Sequence, residues 1–227
     1  MTEIGWISSP FTAKFGLPRQ SGLCESSRER IYFHSPYSSP EAFVGMEGYS
    51  HIWLLWAFSE NIREKPSLTV RPPRLGGNAR RGVFATRSPF RPNPIGISCV
   101  KLVSVGRDHE HGVYLEISGA DLMDGTPILD VKPYIPFSDS HPDAVGGFAA
   151  EHAGDGVEVE IDDLLINRLP EELRAGLTEA LAMDPRPAYH SDPERVYGFE
   201  YGGYEVKFKV CDGILSVTDI YDKKCEG

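Results

Sequence analysis

The chain has 227 residues, a formal net charge of −10 and four widely spaced cysteines that form no Cys-x-x-Cys pair. A chain of this length buries enough surface to fold without disulfides or a bound metal, and such cysteine usage predicts a reduced, cytoplasmic environment. The longest apolar run, residues 52–58, is much shorter than the roughly 18–20 residues that cross a bilayer, which predicts a soluble protein without a membrane partner.

Short β-rich segments separated by Gly and Pro dominate the first 140 residues. The apolar run 52–58 predicts a strand that is buried on both faces, whereas Val113, Leu115 and Ile117 alternate with polar residues as in a half-buried strand. Several short strands at this spacing predict a mainly β fold, either a barrel or a sandwich. The other predicted strands are residues 4–8, 82–86, 98–105 and 128–131.

Residues 65–107 contain no acidic side chain, although the whole chain has 33 Asp and Glu against 23 Lys and Arg. Nine basic residues lie in this stretch, and seven of the nine are arginines, whose planar fork of donors suits carboxylate and phosphate. We therefore predict an anionic partner. A nucleic acid would bind at this one patch, because the net negative charge repels phosphate elsewhere. A solvated charged loop is the alternative, but it does not explain the missing acids.

The composition shifts to Asp, His, Gly and Ala between residues 138 and 156, which predicts two domains, residues 1–145 and 146–227. The second is predicted to be a smaller α+β domain. A helix should begin at Pro170 and end near Asp184, because two acidic residues and then leucines at helical spacing follow that proline. A strand at 157–161 should precede this helix, and a hairpin with its turn at residues 212–213 should follow it.

Three polar clusters are candidate sites. Residues 18–20, Pro-Arg-Gln, place a guanidinium beside an amide, and the Asp-Gly and Thr-Pro steps of the turn 121–127 are predicted to expose backbone donors. Residues 184–189 place an acid, a base and a phenol on two stiff prolines. The ordinary alternatives are a surface loop, a strand connection and a linker after a helix. The seven histidines show no metal spacing, so no metal site is predicted.

These segments together resemble a known family. Residues 71–96 read RPPRLGGNARRGVFATRSPFRPNPIG, which resembles the signature of the TsaA-like, or TrmO, methyltransferases. Residues 18–20, 50–53, 124–127, 130–134 and 184–189 resemble the other motifs of that family, in the same order. The resemblance extends over both predicted domains.

The resemblance implies a β-barrel S-adenosylmethionine-binding domain at residues 1–145, distinct from the Rossmann type, with the cofactor near a homodimer interface. Members with such a C-terminal domain methylate N6 of threonylcarbamoyl-adenosine beside the tRNA anticodon. Family members often have His where this chain has Ser59, which would weaken or rearrange one cofactor contact. The implied cofactor-binding residues are Pro18, Arg19, Gln20, Phe58, Ser59, Glu60, Arg87, Ile97, Asp124, Gly125, Thr126 and Pro127.

S-adenosylmethionine carries a carboxylate, an ammonium and a sulfonium, so Arg19 or Arg87 together with Asp124 would match both signs of charge. Carbamoylation should acidify the N6–H of the acceptor, and alignment can supply most of the acceleration. Asp184 and Tyr189 are the candidates for accepting or orienting that proton, and Arg186 for pairing with the carboxylate of the modification. The candidates for binding anticodon phosphates are Arg80, Arg81 and Arg91.

Two readings from other classes stay open at this stage. A non-catalytic RNA-binding module would use the arginines for phosphates and aromatic side chains for stacking bases. A methyltransferase acting on an anionic small molecule would use the same arginine loops for its substrate. Cofactor affinity tests the first alternative, and the dependence of activity on RNA tests the second.

Overall fold

Six antiparallel strands form the N-terminal part of the computed structural model, which describes residues 1–61, 67–72, 79–152, 156–186 and 192–226. Their neighbours run in the order β1-β2-β7-β6-β3-β8, and β8 also pairs with β1, so the sheet is a closed barrel. β4 and β5 form a separate two-stranded ribbon. The strands are β1 (Gly5–Ser8), β2 (Glu29–Phe33), β3 (His51–Ala57), β4 (Thr69–Val70), β5 (Arg81–Gly82), β6 (Ile95–Asp108), β7 (Gly112–Ser118) and β8 (Pro127–Pro133).

The barrel interior collects alternate side chains of its strands, as a pleated backbone requires. The prediction for β7 is confirmed, because Val113, Leu115 and Ile117 are all buried there. The prediction that β3 is buried on both faces is wrong. Ile52, Leu54 and Trp56 point into the core, while the alternate residues of β3 lie on the outer face and are only partly covered.

The strand predicted at residues 82–86 is also wrong beyond its first residue. Only Arg81–Gly82 pairs, and Val83–Ala85 forms a turn of 3-10 helix. The hydroxyl of Thr86 donates to the Val83 carbonyl at 2.9 Å, and the Thr86 amide donates to the same carbonyl at 3.2 Å. This pair of local bonds takes the place of strand pairing. Val83 is therefore buried, while Phe84 is 78% exposed.

The C-terminal part is a four-stranded sheet in the order β10-β11-β12-β9, in which β9 runs parallel to β12. The predicted helix and hairpin are confirmed, and Asp212 and Gly213 adopt positive φ angles of 50° and 82° in the hairpin turn. The mainly β fold class is confirmed as well. Sequence analysis missed β10. The elements are α1 (Pro136–Asp139), β9 (Glu158–Glu160), α2 (Asp163–Ile166), α3 (Glu171–Ala182), β10 (Tyr197–Tyr201), β11 (Tyr204–Cys211) and β12 (Ile214–Asp222).

An N-terminal segment, residues 10–28, packs against this second sheet. Phe11 and Cys24 are fully buried in its core, and Phe11 makes an isolated bridge with Tyr201. The segment approaches α3 closely at Gly176, where an added Cβ would lie 3.2 Å from Cα of Ser27. The segment therefore brings residues 18–20 between the barrel and the end of α3. The division at residue 145 stays a prediction.

Within the described residues, no helix is long and apolar enough to span a membrane.

Candidate active site

A cleft of about 430 Å³ opens at one end of the barrel, a volume within the range of small-molecule sites. The end of β3 supplies one wall, and the turn before β8 supplies another. The N-terminal segment closes the rim. The lining residues are Lys14, Leu17, Trp56, Ala57, Phe58, Ser59, Glu60, Pro89, Phe90, Asp121, Leu122, Met123, Asp124, Gly125 and Thr126.

Half of the predicted cofactor-binding residues line this cleft. They are the segment 58–60 after β3 and the turn 124–126. The expectation that the Asp-Gly and Thr-Pro steps expose backbone donors is wrong, because three amides there donate to carbonyl groups, that of Thr126 to the Met123 carbonyl at 3.2 Å. The amide of Asp124 donates to the Phe11 carbonyl and that of Gly125 to the Ile7 carbonyl, both at 2.8 Å. These bonds anchor the turn, and the Asp124 carboxylate, which accepts from the Ser9 amide at 2.9 Å, faces the cleft rim.

The other predicted cofactor-binding residues do not line the cleft. Pro18 is buried, Pro127 begins β8 opposite Trp6 of β1, and Ile97 is 49% exposed on β6. Arg19, Gln20 and Arg87 are joined to one another by hydrogen bonds.

In this network, Arg87 Nη1 donates to Gln20 Oε1 at 2.5 Å, and Gln20 Nε2 donates to the Arg19 carbonyl at 2.6 Å. Arg19 Nη2 then donates to the carbonyl of Asp184 at 2.6 Å. Arg19 and Asp184 are 165 positions apart in the sequence. Their hydrogen bond brings together the segment predicted to bind the cofactor and the segment predicted to bind the acceptor.

Asp184 and Arg186 form a two-point ion pair just after α3. Arg186 Nε donates to Asp184 Oδ1 and Nη2 to Oδ2, each at 2.9 Å. The side chains are only 24% and 17% exposed, and the bond from Asp184 raises the pKa of the Arg186 guanidinium. Asp184 adopts a positive φ of 50°, which turns the chain sharply at this point. Tyr189, the third predicted catalytic residue, lies outside the described residues.

The predicted tRNA-binding arginines differ in their surroundings. Arg80 and Arg81 are exposed on the ribbon formed by β4 and β5. Arg91 is half-buried, and its Nη1 donates to the Thr86 carbonyl at 2.9 Å, so it holds its own loop. Of these three arginines, Arg80 and Arg81 are exposed, and the Arg81 guanidinium lies 5.9 Å from the centroid of the Phe148 ring.

Sequence analysis missed a buried hydrogen-bond chain behind the cleft wall. Trp56 Nε1 donates to Ser98 Oγ at 3.0 Å, and Ser98 Oγ donates to Asp121 Oδ1 at 2.5 Å. Ser98 is 1% exposed, and burial raises the pKa of the Asp121 carboxyl. The available signal was Ser98 itself, a hydroxyl at an inward position of a strand whose other inward residues are apolar.

The cleft has a charge and a composition that suit a cationic ligand with an aromatic part. Among the described lining residues, three carboxylates come from Glu60, Asp121 and Asp124, and Lys14 is the only basic residue. Lys14 pairs with Glu60 at 3.3 Å. The aromatic rings of Trp56, Phe58 and Phe90 complete the lining, and ring faces attract cations. Such an arrangement is suited to binding and orienting a ligand of this kind.

Two family models match the chain along most of its length. Residues 6–140 match the tRNA-methyltransferase O N-terminal domain, and residues 157–223 match the TrmO C-terminal domain. The chain belongs to the TrmO family. The sequence-based prediction of an S-adenosylmethionine-dependent methyltransferase is thereby confirmed at the level of the family.

Relatives named for their activities cover nearly all of this TrmO-family chain. It is 44% identical over 223 residues to the tRNA (adenine(37)-N6)-methyltransferase of Escherichia coli K12, covering 95% of this chain and 94% of that protein. It is 42% identical to a putative S-adenosylmethionine-dependent methyltransferase, RcsF, of Pseudomonas aeruginosa, over 87% of each chain. The crystal structure of TrmO from Pseudomonas aeruginosa superposes with a TM-score of 0.78 at 33% identity, covering 97% of this chain and 96% of that one.

Proposed function

We propose that this protein transfers the methyl group of S-adenosylmethionine to N6 of adenine 37 in tRNA, the activity for which its relatives are named. We further propose that the accepted nucleoside already carries the threonylcarbamoyl group. The observation that carries the proposal is the network from Arg87 through Gln20 and Arg19 to Asp184. The Arg87 charge acts on Asp121 in the cleft lining, and Asp184 is paired with Arg186, an arginine suited to a carboxylate. The protein would act as a homodimer in the cytoplasm.

The cofactor would bind in the cleft at the end of the barrel. When bound, S-adenosylmethionine supplies a methyl group on a positively charged sulfur. The carboxylates of Asp121 and Asp124 match the positive charges of the cofactor, and Trp56, Phe58 and Phe90 offer ring faces to its adenine and its sulfonium. Ser59 lies in the lining at an exposed position, so its hydroxyl is available to the ligand. The serine side chain is shorter than the histidine that is often found at this position in the family.

Arg186 has donors left for the acceptor. Its bonds to Asp184 use Nε and Nη2, and a guanidinium carries five N–H donors, so no described residue occupies the edge formed by Nη1 and Nη2. That edge fits a second carboxylate in a two-point geometry. The threonyl carboxylate of the modified adenosine would bind there without breaking the Asp184–Arg186 pair.

The same geometry favours an orienting role for Asp184. Both of its carboxylate oxygens accept hydrogen bonds from Arg186, so the two side chains hold each other in one orientation. Since carbamoylation acidifies N6–H, solvent or Tyr189 can take the proton while alignment supplies the acceleration. Asp184 thus fixes the direction in which Arg186 presents its free edge.

The proposal is tested by transfer of a labelled methyl group from S-adenosylmethionine to bulk tRNA, in parallel with tRNA that lacks threonylcarbamoyl. We expect label only in the modified pool. Equal labelling of both pools would remove the modification from the substrate. Measurable cofactor binding with no label in either pool would contradict the whole proposal. Salt-sensitive RNA binding without cofactor affinity would favour the RNA-binding module, and activity independent of RNA would favour a small-molecule substrate.

The exposed arginines of the ribbon give a second prediction. Each phosphate that a protein contacts releases a counterion, so tRNA affinity falls as salt rises. Replacing Arg80 and Arg81 together by alanine should reduce the magnitude of the slope of log K for tRNA binding against log salt concentration by about 1–2. Affinity for S-adenosylmethionine should not change, since neither residue lines the cleft. Fluorescence anisotropy with labelled tRNA at several salt concentrations measures the slope. Arg168→Ala is the matched control, because Arg168 is an exposed arginine paired with Asp219 on the C-terminal sheet.

A further inference from the structure

The three carboxylates of the cleft differ in how strongly water screens them. Asp124 and Glu60 are exposed, and Glu60, whose side chain is 59% exposed, is also paired with Lys14. Asp121 is half-buried, and burial is the main influence on its ionisation. Because electrostatic interactions strengthen as the local dielectric falls, a charge on Asp121 acts more strongly on a ligand than the other two.

The position of Asp121 is fixed from behind. Its Oδ1 accepts from Ser98 Oγ, and that hydroxyl in turn accepts from Trp56 Nε1, so the carboxylate and one aromatic wall of the cleft share a single buried chain. Ser98 lies on β6 and Trp56 on β3, paired neighbours in the barrel. A carboxylate anchored to two paired strands cannot turn away when a ligand enters.

Arg87 is the cation whose charge acts on Asp121, but the described contacts include no direct hydrogen bond between the two side chains. The Arg87 charge stabilises the ionised carboxylate, but Arg87 Nη1 donates to Gln20 Oε1. Lys14, the basic residue of the lining, is paired with Glu60. Among the described residues, Asp121 is therefore stabilised by a cation that donates its hydrogen bond to another partner.

We propose that Asp121 makes the cleft distinguish the sulfonium cofactor from its uncharged thioether product, S-adenosylhomocysteine. The inference rests on the proposed function, in that the cofactor occupies this cleft. Methyl transfer removes one positive charge from the sulfur and leaves the rest of the molecule unchanged. A fixed carboxylate in a partly buried wall favours the charged form, so the ligand is held more weakly once it has given up its methyl group. Asp121 acts as a specificity-determining residue that assists product release.

The test compares dissociation constants of S-adenosylmethionine and S-adenosylhomocysteine by titration calorimetry. In Asp121→Asn and Asp121→Ser, the preference for the sulfonium form should fall about tenfold, the size expected for losing one partly screened charge. Product affinity should change little. Asp121→Glu, which keeps the charge, should keep the preference. Asp130→Asn is the control, since Asp130 pairs with Lys132 at 2.8 Å and does not line the cleft.

The ratio of the two dissociation constants tests the role of Asp121 separately from cofactor binding itself. A ratio of affinities is insensitive to a general loosening of the site, which weakens both ligands alike. An unchanged ratio in the two uncharged variants, shown to be folded by thermal melting, would overturn the role of Asp121 while leaving cofactor binding intact. Wild-type protein that binds neither ligand would instead overturn the proposed function. Two uncharged variants are used so that misfolding of one does not decide the outcome.

Discussion

Replacing Arg186 with alanine is expected to lower kcat/KM for threonylcarbamoyl-modified tRNA by about 100-fold, while affinity for S-adenosylmethionine stays unchanged. Hydrogen bonds to charged groups contribute about 1.5–3 kcal/mol, and about 2.7 kcal/mol corresponds to a factor of 100. Arg186 does not line the cleft proposed for the cofactor, so its loss should act on the acceptor alone. Steady-state methyl transfer at varied tRNA concentration, with calorimetry for the cofactor, measures both quantities.

Two companion variants separate charge from geometry. Arg186→Lys keeps the charge but loses the planar fork, so it should recover only part of the activity. Asp184→Asn keeps the shape but weakens the ion pair that orients Arg186, and it should raise KM for tRNA more than it lowers kcat. Undiminished turnover by Arg186→Ala would rule out its role at the carboxylate.

Glu29→Gln is expected to stabilise the protein, and by more at alkaline pH than at acidic pH. Glu29 is 1% exposed, and neither of its carboxyl oxygens has a hydrogen-bond partner among the described residues. The hydroxyl of Ser27 donates instead to the Cys24 carbonyl at 2.8 Å. Burial raises the pKa of Glu29 from 4.5 to about 7. A neutral amide of the same size removes the cost of ionising a buried acid.

The direction of the pH dependence follows from the two pKa values. In the unfolded chain Glu29 loses its proton above about pH 4.5, whereas in the folded protein it holds the proton up to about pH 7. Wild-type stability therefore falls as the pH rises through this interval. The stabilisation by Glu29→Gln should grow by roughly 2 kcal/mol between pH 5 and pH 8, at about 1.4 kcal/mol for each tenfold change in the protonation equilibrium.

Urea unfolding at pH 5, 6.5 and 8 measures this difference in the free energy of unfolding. Glu158→Gln is the matched control, because Glu158 is exposed on β9 and its replacement should give a small difference that does not vary with pH. A stability difference between wild type and Glu29→Gln that is the same at all three pH values would show that Glu29 is not protonated in the folded protein.

Local patterns were sufficient for much of the fold. The alternation of Val206, Phe208 and Val210 is set by the period of the strand itself, and these residues are buried in β11 as predicted. The prediction that both faces of β3 are buried failed because a neighbouring element partly covers its outer face. Trp53 packs there against Tyr134 at 5.8 Å between ring centroids and donates to Asp139 of α1 at 2.9 Å. An outward-facing apolar residue that packs against another element has the same sequence pattern as a residue of the core.

The sequence pattern of the missed strand β10 is weak. Tyr197, Phe199 and Tyr201 alternate and are all buried, but Gly198 and the polar residues before the strand weaken the pattern. Tertiary contacts were therefore needed to place it.

The candidate site was predictable only where a motif is continuous along the chain. The turn 124–126 and the segment 58–60 are such motifs, and both line the cleft. The chain from Trp56 through Ser98 to Asp121 joins three segments separated by 42 and 23 positions. Its members are brought together by strand pairing, which one sequence does not reveal. Arg19 and Asp184 were both named as candidates, but their contact was not foreseen for the same reason.

The burial of Phe11 against Tyr201 has a consequence for the order in which a growing chain completes its structure. Residues of the N-terminal segment emerge from the ribosome early, yet their buried positions are built from β10 to β12, which emerge after all the barrel strands. The barrel can pair its strands well before then. Leu17, which lines the cleft, packs against the same core and acquires its final support only after these strands are made. The cleft at the end of the barrel is therefore complete only after β10 to β12 have been synthesised.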